Sequence, residues 1–178
     1  MTADELRALQ APLKQKYRDA PATALIPARA EGTLVLDGVA CNVKTWRRQT
    51  TAGLHAAGGG DGTLACSADM LLEALVGCAG VTLVAVATAM AIPIRGGRVI
   101  AEGLWDARGT LGIDRQAPVG LTDITLRFEV ESDAPPEKIA KMIEMAERYC
   151  VIAQTLQHPP KLTFSHAIVA TTSLPSAS

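Results

Sequence analysis

The sequence predicts an α+β domain in which an antiparallel sheet packs on two central helices. Three observations predict this fold. Residues 74–92 carry no charged side chain and are followed by Pro93, which is typical of a long buried helix. Residues 121–131 alternate between apolar and polar side chains, as a strand with one buried face does. Residues 139–150 carry an apolar stripe with helical spacing, which predicts the second helix.

Length and composition indicate one globular domain covering residues 1–178. Apolar residues make up 48% of the chain, and 17 basic side chains nearly balance 18 acidic ones. These values exclude a disordered chain and a strongly basic nucleic-acid-binding protein. Only 3% of the residues are aromatic, so the core must consist of aliphatic side chains and alanine. Because such a core has few bulky anchors, we expect a homodimer in which a second copy completes it.

Residues 1–20 predict an amphipathic helix that ends near Pro21. Its apolar stripe consists of Leu6, Leu9, Leu13 and Tyr17. Charges of both signs and the lack of a continuous apolar stretch distinguish this segment from a signal peptide. We therefore expect a cytoplasmic protein with reduced thiols. The four cysteines are Cys41, Cys66, Cys78 and Cys150.

The apolar stretch 74–92 is also long enough to cross a membrane. It is dominated by Ala, Val and Gly, however, and has no aromatic residue at either end to mark an interface. Acidic side chains stand close to its start, at Asp69 and Glu73. We therefore expect a fully buried central helix and no membrane association.

The N-terminal half of the domain predicts a connector, a hairpin and a loop. Residues 20–31 are rich in Pro and Ala and predict the connector. An Asp37-Gly38 step separates the apolar runs 34–36 and 39–43, which predicts a β-hairpin with positive φ at both turn residues. Residues 53–65 are rich in glycine but lack the Gly-Lys-Ser/Thr ending of a phosphate-binding loop, so we expect a flexible connection.

The rest of the chain predicts alternating helices and strands. Ser67 is expected to cap the long helix, with Asp69 in its first turn and its end near Ala91. Residues 98–106 and 121–131 predict strands. The further predicted elements are a helix opened by Asp133, Pro135 and Pro136, a short helix over 151–157, a last strand over 162–172 and a frayed tail over 173–178.

Two of the four cysteines lie on predicted interior faces. Cys78 stands in the middle of the most apolar helix, between Gly77 and Gly80. Cys150 continues the apolar stripe of the second helix. That stripe consists of Ile139, Met142, Ile143 and Ala146. The two thiols meet if the helices pack together, although a buried free cysteine is most often an inert core residue.

Two stretches around these cysteines resemble the OsmC/Ohr family, in its broader OsmC-like branch. They are SADMLLEALVGCAGVTL (67–83) and AERYCVIAQTLQHPP (146–160), and the similarity covers residues 32–172. The resemblance implies an intertwined homodimer with its active sites at the subunit interface. It also implies that Cys78 attacks the terminal oxygen of an organic hydroperoxide and that Cys150 resolves the sulfenic acid as a disulfide. A dithiol, such as a lipoylated protein or a small thiol, would reduce that disulfide, with no metal, flavin or haem.

The sequence departs from the hydroperoxide-resistance branch of this family ahead of the long helix. That branch has an Asn-Pro-Glu stretch whose glutamate holds an arginine over the reactive sulfur, whereas Ser67-Ala68 stands there in this chain. Asp69 matches the acidic position of the broader branch, but nine helical residues rotate by about 900° and place it half a turn away from Cys78. Asp69 would therefore act only through the partner subunit or an arginine bridge.

Four arginines are candidates for activating Cys78. They are Arg47, Arg48, Arg108 and Arg115. We favour Arg47 and Arg48, because that part of the chain leads toward the glycine-rich loop and the start of the long helix. An exposed surface charge is the commoner role of an arginine.

Other interpretations remain open. A dimer of the same fold that binds a small apolar ligand at the subunit interface fits the altered acidic motif, and a purely structural dimer is a third possibility. Cys66, just ahead of the long helix, is a candidate second reactive thiol, and Cys41 is expected to pack in a strand. The spacing of Cys41, His55, Cys66 and Asp69 matches no zinc-ligand framework, so we expect no metal site.

Overall fold

Helix α2 is the element on which the other parts of the core assemble. In the computed structural model, which describes residues 1–44 and 49–168, the α-helices are α1 (Ala3–Asp19), α2 (Ser67–Ala89), α3 (Ala107–Thr110), α4 (Pro136–Tyr149) and α5 (Val151–Gln157). The strands are β1 (Glu31–Val35), β2 (Ala40–Lys44), β3 (Gln49–Gly53), β4 (Ala65–Cys66), β5 (Gly96–Trp105) and β6 (Leu121–Glu131). Short 3-10 turns cover Pro21–Ala24 and Ala56–Gly58. The chain is therefore α+β, as predicted.

One side of α2 forms the core. Every fourth residue along that side is buried, namely Leu75, Ala79, Leu83 and Ala87. Their small size allows α4 to pack closely, with Met142 and Ala146 of α4 fully buried against Leu83 and Ala87. The apolar face predicted for the second helix is confirmed, because burial of such a stripe is what stabilises an amphipathic helix.

The strands form two separate sheets. β1, β2 and β3 pair antiparallel, and the two-residue β4 adds to β3 in parallel, so the first sheet is mixed. β5 and β6 form an antiparallel pair that packs on α2. The predicted hairpin is confirmed by the β1–β2 pair, whereas a single antiparallel sheet is not formed. After the glycine-rich loop, β4 pairs with β3 in the same direction.

The first hairpin turns differently from the predicted two-residue turn. Val35 pairs with Ala40, which leaves a four-residue loop over 36–39. Positive φ occurs at Val39, where φ is 47°, and not at Asp37 or Gly38. The wider loop removes the need for positive φ at the Asp-Gly step and moves it to the residue that enters β2.

The start of α2 lies one residue away from the predicted cap. Ser67 is the first helical residue, and Cys66 occupies the cap position with an extended backbone and no capping side-chain bond. The cap differs because β4 leads directly into α2. The last residue of β4, Cys66, therefore occupies the cap position. Asp69 lies in the first turn, as predicted.

The predicted last strand is absent over residues 162–168, and the remainder of its predicted span and the tail lie outside the described residues. Its apolar side chains are exposed, with Phe164 at 87% and Ile168 at 96%. Alternating side chains indicate a segment suited to a sheet, but a strand forms only beside an edge that accepts its hydrogen bonds. No described strand of the same chain pairs with this segment.

Helix α1 confirms the predicted amphipathic helix and begins with a capping box. The Thr2 hydroxyl accepts from the Glu5 backbone, and the Glu5 carboxylate accepts from the Thr2 backbone. No residue of α1 is fully buried, although the N-terminal residues Met1–Ala3 lie along a groove beside α2.

In the part of the chain that is described, one helix, α2, has the length and apolar composition that could cross a membrane. The expectation that it is buried all round is wrong for the isolated chain, because Val81 is 74% and Val84 is 61% exposed. The uncovered face of α2, defined by Gly77, Val81 and Val84, lies opposite its core side.

Candidate functional site: a pair of thiols

Cys78 lies midway along α2 and is half-buried. It belongs to a cluster of apolar residues around Leu75 and Ala79 that brings together α2, the β5–β6 pair and α5. The members of that cluster from the sheet are Val99, Ala101, Ile124, Leu126 and Phe128. Cys78 therefore borders an apolar cluster to which the sheet also contributes.

Cys150 stands at the junction of α4 and α5 and is completely buried. Its backbone is extended, with φ −73° and ψ 107°, so the helix stops there and a new one starts. The first α5 bond runs from the Gln154 N–H to the Cys150 carbonyl at 2.9 Å. The amide groups of residues 151–153 therefore have no partner within their helix and are free to face the sulfurs.

The environment of Cys78 favours its thiolate. Burial by itself would raise the pKa of Cys78, but four donors together outweigh it and lower that pKa below the ordinary thiol value. In decreasing order of effect they are the Ile152 N–H, the Cys150 thiol, the Val151 N–H and the Thr82 hydroxyl. Two of the four donors are the free amides at the start of α5.

The environment of Cys150 favours its thiol. Burial raises the pKa of Cys150, and the neighbouring Cys78 sulfur raises it further, while the Ala153 and Ile152 amides oppose the shift. The two sulfurs are therefore unequal: the pKa of Cys78 is lowered and the pKa of Cys150 is raised, so Cys78 loses its proton at the lower pH. Both are free thiols.

This arrangement brings a nucleophile and a second thiol together in an apolar setting. A thiolate attacks electrophilic oxygen or sulfur, and an adjacent thiol can condense with the oxidised product to form a disulfide. No cationic side chain among residues 1–44 and 49–168 contributes to lowering the pKa of Cys78. The stabilisation that is observed comes from uncharged donors.

The structure separates the other predicted site residues from the thiol pair. Asp69 is exposed in the first turn of α2. Arg108 is held by Asp106 at the start of α3, and Arg115 is exposed. Arg47 and Arg48 lie outside the described residues.

Sequence reasoning missed the donors that surround Cys78. Thr82 stands four residues after Cys78, which is the spacing that puts two helical residues on one face. Its hydroxyl donates to the Cys78 carbonyl at 2.8 Å. The amides of Val151 and Ile152 carry no signal in their side chains, and only the helix break at Cys150 exposes them.

The remaining cysteines and His55 lie elsewhere. Cys66 precedes α2, and Cys41 packs in β2 against Gly32, where a side chain would meet the Cys41 sulfur at 2.6 Å. His55 accepts the Ala57 N–H on Nδ1 at 3.0 Å and lies edge-on to Trp105, with 5.4 Å between ring centroids. Within the described ranges, no three His, Cys, Asp or Glu side chains are grouped closely enough to hold a metal ion.

Comparison with known proteins identifies the family. The family profile described as OsmC-like protein matches residues 60–165, which is more than half of the chain and includes both Cys78 and Cys150. The chain belongs to the OsmC-like family. No curated protein sequence matches it.

Solved structures of OsmC-like proteins share its fold at low sequence identity. An OsmC-like protein from Mycoplasma pneumoniae is 21% identical, with a TM-score of 0.63 over 75% of this chain and 89% of that one. An organic hydroperoxide resistance protein from Elizabethkingia anophelis is 17% identical, with a TM-score of 0.61 over 76% and 91%. An OsmC-like protein of unknown function from Vibrio cholerae is 13% identical, with a TM-score of 0.59 over 74% and 94%. The similarity extends over most of the OsmC-like fold.

Proposed function

We propose that this OsmC-like protein is a thiol-dependent peroxidase that reduces organic hydroperoxides. The single observation that carries the proposal is the unequal pair of thiols, in which Cys78 has a lowered pKa and Cys150 a raised one. A peroxidase of this type needs a thiolate to attack the peroxide and a second thiol beside it that can later lose its proton and resolve the product.

The reaction proceeds in two balanced steps. The Cys78 thiolate attacks the terminal oxygen of ROOH, the O–O bond breaks, and Cys78 becomes a sulfenic acid as ROH leaves after protonation. Cys150 then loses its proton and its sulfur attacks the Cys78 sulfur; the S–O bond breaks, a disulfide forms, and the hydroxide leaves as water with the proton that Cys150 gave up. The peroxide gains two electrons and the two cysteines lose two.

The surroundings of Cys78 support an organic hydroperoxide rather than hydrogen peroxide as the preferred substrate. Cys78 packs against the same apolar cluster as aliphatic side chains of the sheet, including Val99 and Ala101. Contact with an apolar R group removes both surfaces from water, which hydrogen peroxide cannot do. The printed description of the Elizabethkingia anophelis relative, organic hydroperoxide resistance, is consistent with this substrate class.

We further propose that the protein acts as an intertwined homodimer with its sites at the subunit interface. The chain exposes 13,924 Å², whereas a compact monomer of 18.6 kDa exposes about 8,200 Å². The surplus includes the uncovered face of α2 and the extended segment 162–168 with its exposed Phe164. A second copy that covers these surfaces would supply the burial that one chain lacks.

The catalytic cycle requires an external reductant for the disulfide. A dithiol, either on a lipoylated protein or as a small thiol, would exchange with the disulfide and leave oxidised while Cys78 and Cys150 return to thiols. This step suits the reducing cytoplasm, where we place the protein.

Arg47 and Arg48 remain part of the proposal as candidate activators of Cys78, with Asp69 as a residue that could orient one of them from the partner subunit. A guanidinium beside the sulfur would lower the pKa of Cys78 further. Replacing each arginine by Gln in turn and measuring the rate of Cys78 oxidation identifies which of them takes part.

Stopped-flow kinetics with cumene hydroperoxide test the proposal. We expect rapid loss of two thiols per chain and a Cys78–Cys150 cross-link in the wild-type protein. Cys78→Ser should lose the reaction, whereas Cys150→Ser should retain the first step and accumulate a sulfenic acid that dimedone traps. Cys66→Ser serves as the matched control, because Cys66 lies outside the pair. Unchanged peroxide consumption in Cys78→Ser would overturn the assignment.

Binding of a small apolar ligand without catalysis is the second candidate. A groove of about 780 Å³ runs between α2 and β5, lined by residues such as Gly80, Val84 and Val99, and Cys78 is not among its lining residues. A ligand there would need no chemistry from the thiols. This alternative predicts no thiol loss with one equivalent of hydroperoxide, together with unimpaired ligand binding in Cys78→Ser.

A further inference from the structure

Thr82 lies one helical turn after Cys78, and its hydroxyl turns back toward that residue. Thr82 Oγ1 donates to the Cys78 carbonyl oxygen at 2.8 Å. From the same position, the hydroxyl also helps to lower the pKa of Cys78. A hydroxyl has one proton to donate, so it serves one of these two acceptors at a time.

The two acceptors differ in how much they need this proton. The Cys78 carbonyl lies inside α2, where the backbone N–H four residues later is its regular helical partner. The sulfur depends on donors only when it is charged, and a hydrogen bond to a charged acceptor is about twice as strong as one between neutral groups. Loss of the proton from Cys78 therefore changes which acceptor the hydroxyl prefers.

We propose that Thr82 is a switching donor for the nucleophile, bonding the Cys78 carbonyl in the thiol state and the Cys78 sulfur in the thiolate state. The change is one of hydrogen-bond partner, and no covalent bond forms or breaks. The inference rests on the proposed function in one respect, which is that Cys78 is the nucleophile. Its effect on the sulfur can be measured without any peroxide.

Among the described residues, the other groups that influence Cys78 are backbone amides and a thiol, whereas Thr82 supplies a side-chain hydroxyl. The α5 side supplies backbone amides, and the α4–α5 junction supplies the Cys150 thiol. Among the described residues, Cys150 is the sole titratable group and Thr82 the sole side-chain hydroxyl that influences the Cys78 sulfur. Thr82 is thus the donor that a single substitution removes while both thiols and the α5 amides stay in place.

The test is the pH dependence of Cys78 alkylation by iodoacetamide in the fully reduced protein, followed at that site by mass spectrometry. Thr82→Val keeps the shape but lacks the donor, and we expect it to raise the pKa of Cys78, which slows alkylation near neutral pH up to about tenfold. Thr82→Ser retains a hydroxyl and should stay within about twofold of the wild type. Thr88→Val is the matched control, because Thr88 makes the same bond to the Val84 carbonyl at 2.8 Å.

Three results would overturn the inference: a wild-type profile in Thr82→Val, no recovery in Thr82→Ser, or an equal shift in Thr88→Val, which would indicate a general effect on the helix. Circular dichroism establishes that each variant is folded, and Thr82→Ala replaces Thr82→Val if the valine variant is not. A wild-type protein that is inert to hydroperoxide but shows the Thr82 effect would reject the peroxidase and retain the donor. The reverse outcome would retain the peroxidase and reject the donor.

Discussion

Cys150 lies near enough to Cys78 for the two thiols to shift each other's pKa, although the two residues belong to segments far apart in the sequence. The contact lowers the pKa of Cys78, and the same contact adds to burial in raising the pKa of Cys150. A pair of chemically identical side chains thereby acquires two different roles, nucleophile and proton-bearing partner, and the predictions below depend on this difference.

The first prediction concerns relative reactivity. At a pH near neutrality, Cys78 should be alkylated faster than Cys150, because its lowered pKa gives it more thiolate and because Cys150 is completely buried. Time-resolved mass spectrometry after iodoacetamide addition measures both sites at once. Replacing Cys150 by Ala removes one donor and should raise the pKa of Cys78, whereas Cys150→Ser retains a donor. Equal rates at both cysteines would contradict the assignment.

The second prediction concerns stability as a function of pH. The folded-state pKa of Cys78 is depressed, so the unfolded chain binds more protons in the window between that lowered pKa and the ordinary thiol value of about 8.5. The stability of the wild-type protein relative to Cys78→Ser should therefore increase as the pH rises through this window, and this contribution should be lost as the pH falls through the folded pKa. Urea unfolding under reducing conditions measures the difference.

The contribution of Cys150 to stability changes with pH in the opposite direction. Because its folded-state pKa is raised, its contribution is complete below the ordinary thiol value and is lost as the pH rises through the folded pKa. The comparison of the wild type with Cys150→Ser should therefore show a relative loss of stability in alkaline solution. If the stability of the wild type relative to Cys150→Ser increased with pH above about 8.5, that result would be inconsistent with the raised pKa of Cys150.

The third prediction concerns the core beneath the site. Met142 is completely buried in α4 and packs against α2, so Met142→Ala should cost about 2–5 kcal/mol of unfolding free energy through lost burial and the resulting cavity. Met145→Ala is the control on the same helix, since Met145 is only half-buried, and its loss should be smaller. Equal losses in urea unfolding would show that the two positions are packed alike.

The fourth prediction concerns the uncovered face of α2. Val84 is 61% exposed in the single chain, and Val84→Glu should convert the proposed dimer to monomers by placing a charge in an apolar contact. Ala140→Glu introduces the same charge on an exposed position of α4 and should leave the dimer intact. Sedimentation velocity distinguishes the two species. A wild-type monomer, or a dimer that tolerates Val84→Glu, would rule out this face as the contact.

Local patterns were sufficient to predict most of the helices and strands. Side chains alternate in β6, an apolar stripe runs along α4, and α2 has a long uncharged stretch. Each pattern indicates burial of one face, and the structure contains all three elements. The pattern at 162–168 also predicts a strand, yet no strand forms there. Pairing requires the free edge of another strand, which only tertiary or quaternary structure supplies. The cap of α2 and the first hairpin turn differ from prediction because neighbouring strands determine where each begins.

By itself, the sequence predicted that Cys78 and Cys150 both face the interior, since the spacing of apolar residues is a local property of each segment. Which of the two thiols has the lowered pKa was decided only by the tertiary structure. The helix break at Cys150 directs the Val151 and Ile152 amides toward Cys78, and Thr82 adds to the lowering of the pKa of Cys78 from α2. Stabilising a thiolate depends on donors that converge from separate segments, and their convergence is a property of the packed chain.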